Sequence, residues 1–180
     1  FKGLKRGSIE IEQQTEKFGV KFGNGGSNGI PRQKSAIILS DNGKMVFKGK
    51  ANFGEGVVIR IDGGIIEFGE RFRTNKNAFI ACNTKMSIGD DVLLGWNVNI
   101  RDSDGHNVYT NGVAAPKEKS VVIGNHVWIC SYADILKGTV IGNDCVVAYR
   151  SCVAGGKHPN NSLIAGIPGK VIKEDINWVE

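Results

Sequence analysis

The feature that most constrains this chain is a six-residue repeat in its second half. An aliphatic residue returns every six positions, and a small or β-branched residue follows seven of these nine residues four positions later. A period of six suits neither an α-helix nor an alternating strand, so both series are predicted to face the interior of another regular structure. The aliphatic series is Ile88, Leu94, Ile100, Ile123, Ile129, Ile135, Ile141, Val147 and Val153, and the second series is Val92, Val98, Val127, Ala133, Thr139, Cys145 and Ser151.

Short strands separated by sharp bends satisfy this period. Three repeats close a triangular coil of about 18 residues, and successive coils stack as strands about 4.8 Å apart. Ile123 is then predicted beneath Ile141, and Ile129 beneath Val147. The predicted fold is an all-β solenoid, a parallel β-helix in which each coil contacts its neighbours. Gly provides 25 of 180 residues and Pro only 4, which is typical of many tight turns in a regular fold.

The first half keeps the period less strictly. Phe53, Ile59 and Ile65 share one phase, and a second phase begins after a bulge at Gly63-Gly64 and includes Phe68, Thr74 and Ile80. We therefore expect wider, irregular coils of the same solenoid there, within one domain that spans residues 1–180.

The two ends are predicted to close the solenoid, because an open coil would expose unpaired strands. Residues 1–50, with the Gly-rich segment FGNGGSNGI, are expected to form an irregular cap or first coils. Residues 174–180 are expected to form a short C-terminal helix in which Trp178 covers the last coil.

Composition excludes several classes of protein. No apolar run approaches the roughly 20 residues of a membrane span, and no apolar targeting segment is visible at the N-terminus. The net charge of +5 is spread along the chain, which fits a small anionic ligand better than a nucleic acid. The four cysteines show no CxxC and no zinc spacing. We expect buried free thiols, no metal and a cytoplasmic protein.

The repeat is interrupted once, by residues 101–120. Long excursions from a regular fold are frequent functional sites, and this one contains His106, preceded by Asp102 and Asp104. Neutral imidazole is a suitable general base near pH 7, and a nearby carboxylate can hold its tautomer. The alternative is an exposed histidine in a DSDG turn, since Asp and Gly are turn residues.

Three segments resemble the hexapeptide-repeat acyltransferases, and in particular the galactoside, maltose, capsular and lipopolysaccharide sugar O-acetyltransferases. They are IGDDVLLGWNVNIRDSDGH, VVIGNHVWICSYADILKGTVIGNDCVVAYRSCV and NSLIAGIPGKVIK. The resemblance covers residues 86–173 well and 50–85 weakly. It implies a left-handed β-helix, a homotrimer with sites between subunits, and metal-independent acetyl transfer from acetyl-CoA to a sugar hydroxyl in polysaccharide biosynthesis.

The resemblance also implies roles for individual residues. His106 matches the family's catalytic base, and the sugar acceptor is expected to meet Asn97, Asp102 and Asp104. The residues expected to contact acetyl-CoA are Trp128 and Ser131 beside its pantetheine arm, Ala148, Tyr149 and Gly166 along its path, and Lys170 and Lys173 near its phosphates.

Two departures from the family pattern concern the acetyl-CoA site. Tyr149 and Arg150 replace small residues, so Tyr149 either stacks on the cofactor or narrows its slot. Ala154-Gly155-Gly156 replaces an expected Thr-Lys, and Arg150 or Lys157 is the candidate substitute for the missing cation.

Three other functions are compatible with a β-helix. An amino-sugar N-acetyltransferase would use the same machinery. A zinc hydratase would need three converging histidines, and the chain has only His106, His126 and His158 at unsuitable spacings. A non-catalytic binding solenoid is the third alternative, favoured by the departures at Tyr149 and Arg150.

Overall fold

The computed structural model describes residues 1–12, 19–23 and 33–179. Within these ranges the chain makes about six turns of a coil built from parallel strands and contains no helix. In chain order the strands are β1 (Ile9–Ile11), β2 (Val20–Phe22), β3 (Ala36–Ser40), β4 (Lys44–Phe47), β5 (Ala51–Phe53), β6 (Val58–Asp62), β7 (Ile65–Phe68), β8 (Phe72–Thr74), β9 (Phe79–Cys82), β10 (Lys85–Ile88), β11 (Leu93–Leu94), β12 (Asn99–Arg101), β13 (Tyr109–Thr110), β14 (Val113–Ala114), β15 (Val121–Ile123), β16 (Trp128–Ile129), β17 (Asp134–Ile141), β18 (Val146–Val147), β19 (Cys152–His158), β20 (Leu163–Gly166) and β21 (Gly169–Lys173).

The strands stack into three faces. The first face contains β1, β4, β7, β10 and β15, the second contains β2, β5, β8, β11, β16, β18 and β20, and the third contains β3, β6, β9 and β12. Strands β17 and β19 bend across a corner, so their first halves extend the third face and their second halves extend the first. The sequence-based prediction of a three-sided parallel β-helix is confirmed.

The register confirms the predicted stacking of the second half. Ile123 pairs with Ile141, and Ile129 pairs with Val147. Every residue of the two predicted inward series is at most 4% exposed. The six-residue period therefore identifies the interior of the coil correctly.

The coil narrows along the chain. One turn takes 21 residues from Lys44 to Ile65, 20 from Ile65 to Lys85, and 18 from Val122 to Val140. The wide early turns are filled by the buried rings of Phe47, Phe53, Phe68 and Phe72, and the later turns by aliphatic and smaller side chains. The expectation of wider early coils is confirmed.

One inward position of the first half was predicted wrongly. Ile65 is 39% exposed, whereas the next residue, Ile66, is fully buried. The 21-residue turn and the bend at Gly63-Gly64 shift the phase by one position, and a shift by one turns a strand residue to the opposite face. Phe68, Thr74 and Ile80 are buried as predicted.

A corner of glycine and asparagine residues joins the first face to the second. Asn143 Oδ1 accepts a hydrogen bond from the Asn125 backbone N–H at 2.8 Å, and Asn125 Oδ1 accepts one from the Asp90 N–H at 2.9 Å. Beside them, a Cβ built on Gly124 would lie 2.7 Å from the Gly142 carbonyl carbon. The coils therefore approach closely enough that only glycine fits at this point of the corner.

The C-terminal end differs from the prediction. Residues 174–179 form no helix. The chain instead reverses at Ile167-Pro168, and β21 pairs antiparallel with β20. This pairing satisfies the open edge of the last coil, which removes the need for a helical cap.

The start of the chain forms first coils, as one of the two expectations stated. β1 pairs with β4, and β2 pairs with β5. Most of the Gly-rich segment FGNGGSNGI lies outside the described residues. Within the described ranges, no helix has the length and hydropathy that crossing a membrane requires.

We predict that Gly124→Ala lowers the free energy of unfolding by about 2–3 kcal/mol, because its Cβ would press on backbone that cannot move aside. The matched control is Gly49→Ala, whose Cβ would meet the flexible Glu70 side chain at 2.5 Å. Urea denaturation of both variants measures the difference. Equal losses would contradict close backbone packing at the Gly124 corner.

Candidate active site

Residues 102–120 leave the coil after β12 and return at β15, at the corner between the third face and the first. The excursion folds back on itself as a hairpin. The Asp104 N–H donates to the Lys117 carbonyl at 3.0 Å, and β13 pairs antiparallel with β14 further out. The loop that the sequence marked as functional therefore has an ordered base.

Asp102 holds the root of this loop. Its side chain is fully buried, and its carboxylate accepts hydrogen bonds from the backbone N–H groups of Asn83 and Thr84, both at 2.7 Å. The Thr84 hydroxyl adds a third at 3.0 Å. The prediction that Asp102 contacts the acceptor is wrong, because its carboxylate is buried and already occupied by the preceding coil.

Asp104 is half-exposed and lies at the base of the hairpin. Its Oδ2 forms an ion pair with Lys137 Nζ, and the same ammonium donates to the Pro116 carbonyl at 2.6 Å. Lys137 belongs to β17 and so ties the loop to the following coil. The acceptor role predicted for Asp104 stays a prediction.

His106 lies on the exposed part of the hairpin. The preceding Gly105 has a φ of +77° and donates its N–H to Ser103 Oγ at 3.1 Å. No side chain among the described residues hydrogen-bonds to the His106 ring. Neither Asp102 nor Asp104 orients it within one chain, and its ring is open to a substrate or to another subunit.

Four of the residues predicted to contact the acceptor or the cofactor lie on another corner, between the second face and the third. We call this the Asn97 corner, defined by residues 95–98, 130–133 and 148–151. Successive coils are joined there: Ser131 Oγ accepts from the Trp96 N–H at 3.0 Å, and the Arg150 N–H donates to the Ser131 carbonyl at 3.2 Å. The structure thus brings together Asn97, Ser131, Ala148 and Tyr149.

The sequence interpretation missed Tyr132 at this corner. The Arg150 guanidinium carbon lies 5.6 Å from the centroid of the Tyr132 ring and 5.4 Å from that of Tyr149. Asn97, Tyr132 and Arg150 all have positive φ and occupy the same corner position in successive coils. The 18-residue spacing from Tyr132 to Arg150 is the signal that would have found this residue.

The remaining cofactor candidates lie along the second face. Trp128 pairs with Val146, Val146 with Leu163, and Leu163 with Lys173. This column is about 14 Å long at about 4.8 Å per strand. Gly166 and Lys170 lie beside its lower end, exposed on β20 and β21.

The C-terminal segment crosses the upper end of this column. Trp178 Nε1 donates to the His126 carbonyl at 2.9 Å, and the two rings stack with centroids 4.2 Å apart. The Trp178 ring is also 5.9 Å from that of Trp128. Trp178 therefore packs on the side of the coil beside Trp128, whereas the sequence predicted that it would cover the end.

The His106 loop and the Asn97 corner lie apart within one chain. The His106 loop leaves from one end of β12, and the Asn97 corner lies at the other end. Five residues of extended chain from Asn97 to Asp102 span about 16 Å. A single chain does not place its own His106 beside its own Asn97 corner.

The thiols are poor candidates for a nucleophile. All four cysteines are free, and Cys82 and Cys145 are buried. Burial raises the pKa of the Cys130 thiol to about 11, so little thiolate forms near pH 7. Burial, together with the charge of Asp102, also raises the pKa of Cys82. Residues 1–12, 19–23 and 33–179 contain no cluster of His, Cys, Asp and Glu that could hold a metal ion.

Comparison with known proteins supports the same interpretation. A sequence profile of the family described as bacterial transferase hexapeptide (six repeats) matches residues 120–155. A protein of Escherichia coli K12 named as a lipopolysaccharide biosynthesis O-acetyl transferase, WbbJ, is 35% identical over 143 residues, which are 70% of this chain and 72% of that protein. The chain belongs to the hexapeptide-repeat acyltransferases.

Two further similarities extend this result. A polysialic acid O-acetyltransferase of Neisseria meningitidis is 40% identical over 58% of this chain and 49% of its own length, so the chain spans about half of that relative. The structure of a galactoside acetyltransferase in complex with coenzyme A matches with a TM-score of 0.55 and 26% identity, over 88% of this chain and 66% of the other. For this hexapeptide-repeat acyltransferase, the predicted left-handed parallel β-helix and the predicted enzyme class are confirmed.

We predict that Asp102→Ala lowers the free energy of unfolding by about 3 kcal/mol, because it strips the partners from two backbone N–H groups at the loop root. Asp104→Ala removes a half-exposed ion pair and should cost less than about 1 kcal/mol. Thermal unfolding of the two variants compares them. A stable Asp102→Ala variant would show that the loop root does not depend on this carboxylate.

Proposed function

We propose that this acyltransferase moves the acetyl group of acetyl-CoA to a hydroxyl of a sugar, in the biosynthesis of a capsule, lipopolysaccharide or exopolysaccharide. The observation that carries the proposal is an exposed histidine without a protein partner on an ordered hairpin, in a chain of this family. The similar proteins named above are an O-acetyltransferase of lipopolysaccharide biosynthesis, a polysialic acid O-acetyltransferase and a galactoside acetyltransferase in complex with coenzyme A.

The chemistry requires one base. A sugar hydroxyl has a pKa far above 7, so it must lose its proton as it attacks the thioester carbonyl. A neutral His106 ring accepts that proton, the thioester C–S bond breaks, and the proton passes to the departing CoA thiolate. A backbone N–H close to the carbonyl oxygen would stabilise the charge of the tetrahedral intermediate.

Acetyl-CoA would lie along the second face. Its pantetheine arm would run beside the column that begins at Trp128, against the part of the Trp128 ring that Trp178 leaves exposed. Its phosphates would meet Lys170 and Lys173 near the end of the coil. Arg150, held between Tyr132 and Tyr149, supplies a cation on the adjacent corner. This placement makes Arg150 the substitute for the lysine that Ala154-Gly155-Gly156 lacks.

A homotrimer would complete the site. The His106 loop and the Asn97 corner lie at opposite ends of β12, so a second subunit has to supply one of them. On the outer part of the hairpin, the residues Val108, Tyr109 and Val113 are 53–71% exposed to solvent. Apolar surface of this kind favours a protein contact. The loop of one subunit would then face the Asn97 corner of the next.

The compartment follows from the thiols and the co-substrate. All four cysteines are unpaired, which is typical of a reducing environment. We therefore place the protein in the cytoplasm, where acetyl-CoA is available.

We predict that His106→Ala lowers the rate of acetyl transfer by about 10²–10⁴, the usual contribution of general acid–base catalysis. Release of the CoA thiol with a panel of sugar acceptors measures the rate. The melting temperature and the affinity for acetyl-CoA should stay unchanged, because the side chain is exposed and the cofactor residues lie elsewhere.

The matched control is His158→Ala. The His158 ring hydrogen-bonds to the Gly155 carbonyl at 3.3 Å, and its loss should leave the rate within about twofold. Full activity in a folded His106→Ala variant would remove this residue from the mechanism and identify the loop histidine as a simple turn residue.

We predict that the protein sediments as three chains and that Val113→Glu shifts it toward the monomer, because a charge is costly in an apolar contact. Val179→Glu introduces the same change at an 83% exposed residue outside the hairpin and should sediment like the parent. Analytical ultracentrifugation at micromolar concentration distinguishes them. A stable parent monomer would contradict the composite site.

A further inference from the structure

A groove runs along the outer side of the third face, against the base of the hairpin. Its wall is made by the loop and its floor by strands β6, β9 and β12. The residues that line it are Arg60, Asp62, Phe79, Ala81, Asn83, Arg101, Ser103, Asp104, Gly105 and Lys117. None of the sugar or cofactor residues predicted from the sequence, apart from Asp104, belongs to this groove.

Arg101 is held in one orientation at the centre of the groove. Its Nε donates to Asn99 Oδ1 at 2.8 Å, and the Asn99 amide is fixed in turn by Asp134 Oδ1 at 2.9 Å. The guanidinium carbon lies 5.2 Å from the centroid of the Phe79 ring. The planar group is thus oriented from two sides before any ligand arrives.

The outer edge of this guanidinium has no acidic partner among the described residues. The two carboxylates of the groove are engaged elsewhere, since Asp104 pairs with Lys137 and Asp62 interacts with the Ser40 hydroxyl and with Arg60. The hydrogen bond from Ser40 is the largest cause that lowers the pKa of Asp62. The terminal N–H groups of Arg101 remain available to an external acceptor.

The floor beside Arg101 leaves room for a ligand. Arg60 pairs in register with Ala81, and Ala81 pairs with Arg101. The two arginines therefore occupy one outward column, about 10 Å apart, with a single methyl group between them. A third cation, Lys117, lies on the loop wall and pairs with Glu118 at 3.4 Å.

The groove leads to the candidate base. Gly105, which lines it, directly precedes His106, and Arg101 precedes the buried loop root Asp102. A sugar that lies in the groove with its charged group on Arg101 would extend toward the end of the loop that carries the imidazole.

We propose that Arg101 binds an anionic group of the acceptor, either the carboxylate of an acidic sugar or the phosphate of a sugar phosphate. A guanidinium with a free edge can donate a pair of hydrogen bonds to either group. That the anion belongs to the acetyl acceptor rests on the function proposed above. Anion binding in the groove does not depend on it.

Binding is tested with three probes: methyl β-D-glucuronide, α-D-glucose 1-phosphate and the neutral methyl β-D-glucoside. NMR titrations at low ionic strength should show that at least one of the anionic probes binds more tightly than the neutral glucoside. The stronger anion identifies the source of the charge. Equal binding of all three, or binding of none, would overturn the proposal.

Three variants test whether Arg101 is the residue that binds the anionic probe. Arg101→Gln should weaken the affinity for the anionic probe by about tenfold or more, since charge-assisted hydrogen bonds are lost. Arg101→Lys keeps the positive charge but lacks the planar guanidinium edge, so it should weaken this affinity less. The matched control is Arg71→Gln, because Arg71 is also exposed but is already paired with Asp91 at 2.6 Å. This variant should bind the probe like the parent. Unchanged binding in Arg101→Gln would overturn the proposal.

Acetyl transfer, measured in parallel by CoA release, separates the two proposals. Anion binding that is lost in Arg101→Gln, in a protein that acetylates no sugar, would support the groove and contradict the proposed function. Transfer to the anionic sugars with an unchanged kcat/KM in Arg101→Gln would support the function and overturn the binding of the acceptor by Arg101.

Discussion

The fold depends on the close approach of successive coils at the corner of Gly124 and Asn143. A Cβ at Gly124 would lie 2.7 Å from the backbone of the next coil, so stacking at the strand spacing requires a residue without a side chain there. The neighbouring asparagines then hydrogen-bond from coil to coil and hold the register. Every outward residue is consequently aligned with its counterparts one turn above and below.

This alignment decides where binding can occur. The interior is filled, first by phenylalanines and later by aliphatic side chains, so ligands have to bind outside. Residues such as Trp128 and Lys173 become one continuous column because their strands are in register. The excursion of residues 102–120 adds a projecting wall, and the buried carboxylate of Asp102 attaches that wall to the coil.

Much of this architecture could be predicted from the sequence. The period of six correctly identified the inward residues from Ile88 to Val153, because each turn of 18 residues repeats the same environment. It failed at Ile65, where a 21-residue turn changes the phase. The separate expectation of a helix over residues 174–180 was wrong, because residues 174–179 form no helix and the preceding strand β21 pairs with β20. Two features could not be predicted, because they depend on residues of other coils. Asp102 is buried against Asn83 and Thr84. Arg101 is oriented by Phe79 and, through Asn99, by Asp134.

Outward residues can change without affecting the core, because strand neighbours point to opposite sides of the coil wall. In β12, Ile100 is buried while Asn99 and Arg101 face outward and engage each other. The same alternation places Arg60 and Ala81 in the column of Arg101 while Ile59 and Ile80 fill the interior. Under the proposal that Arg101 binds the acceptor, substitutions in this outward column would alter the acceptor at little cost to folding. The third face would then adapt to sugars of different charge, while His106 and the residues proposed to bind acetyl-CoA stay unchanged.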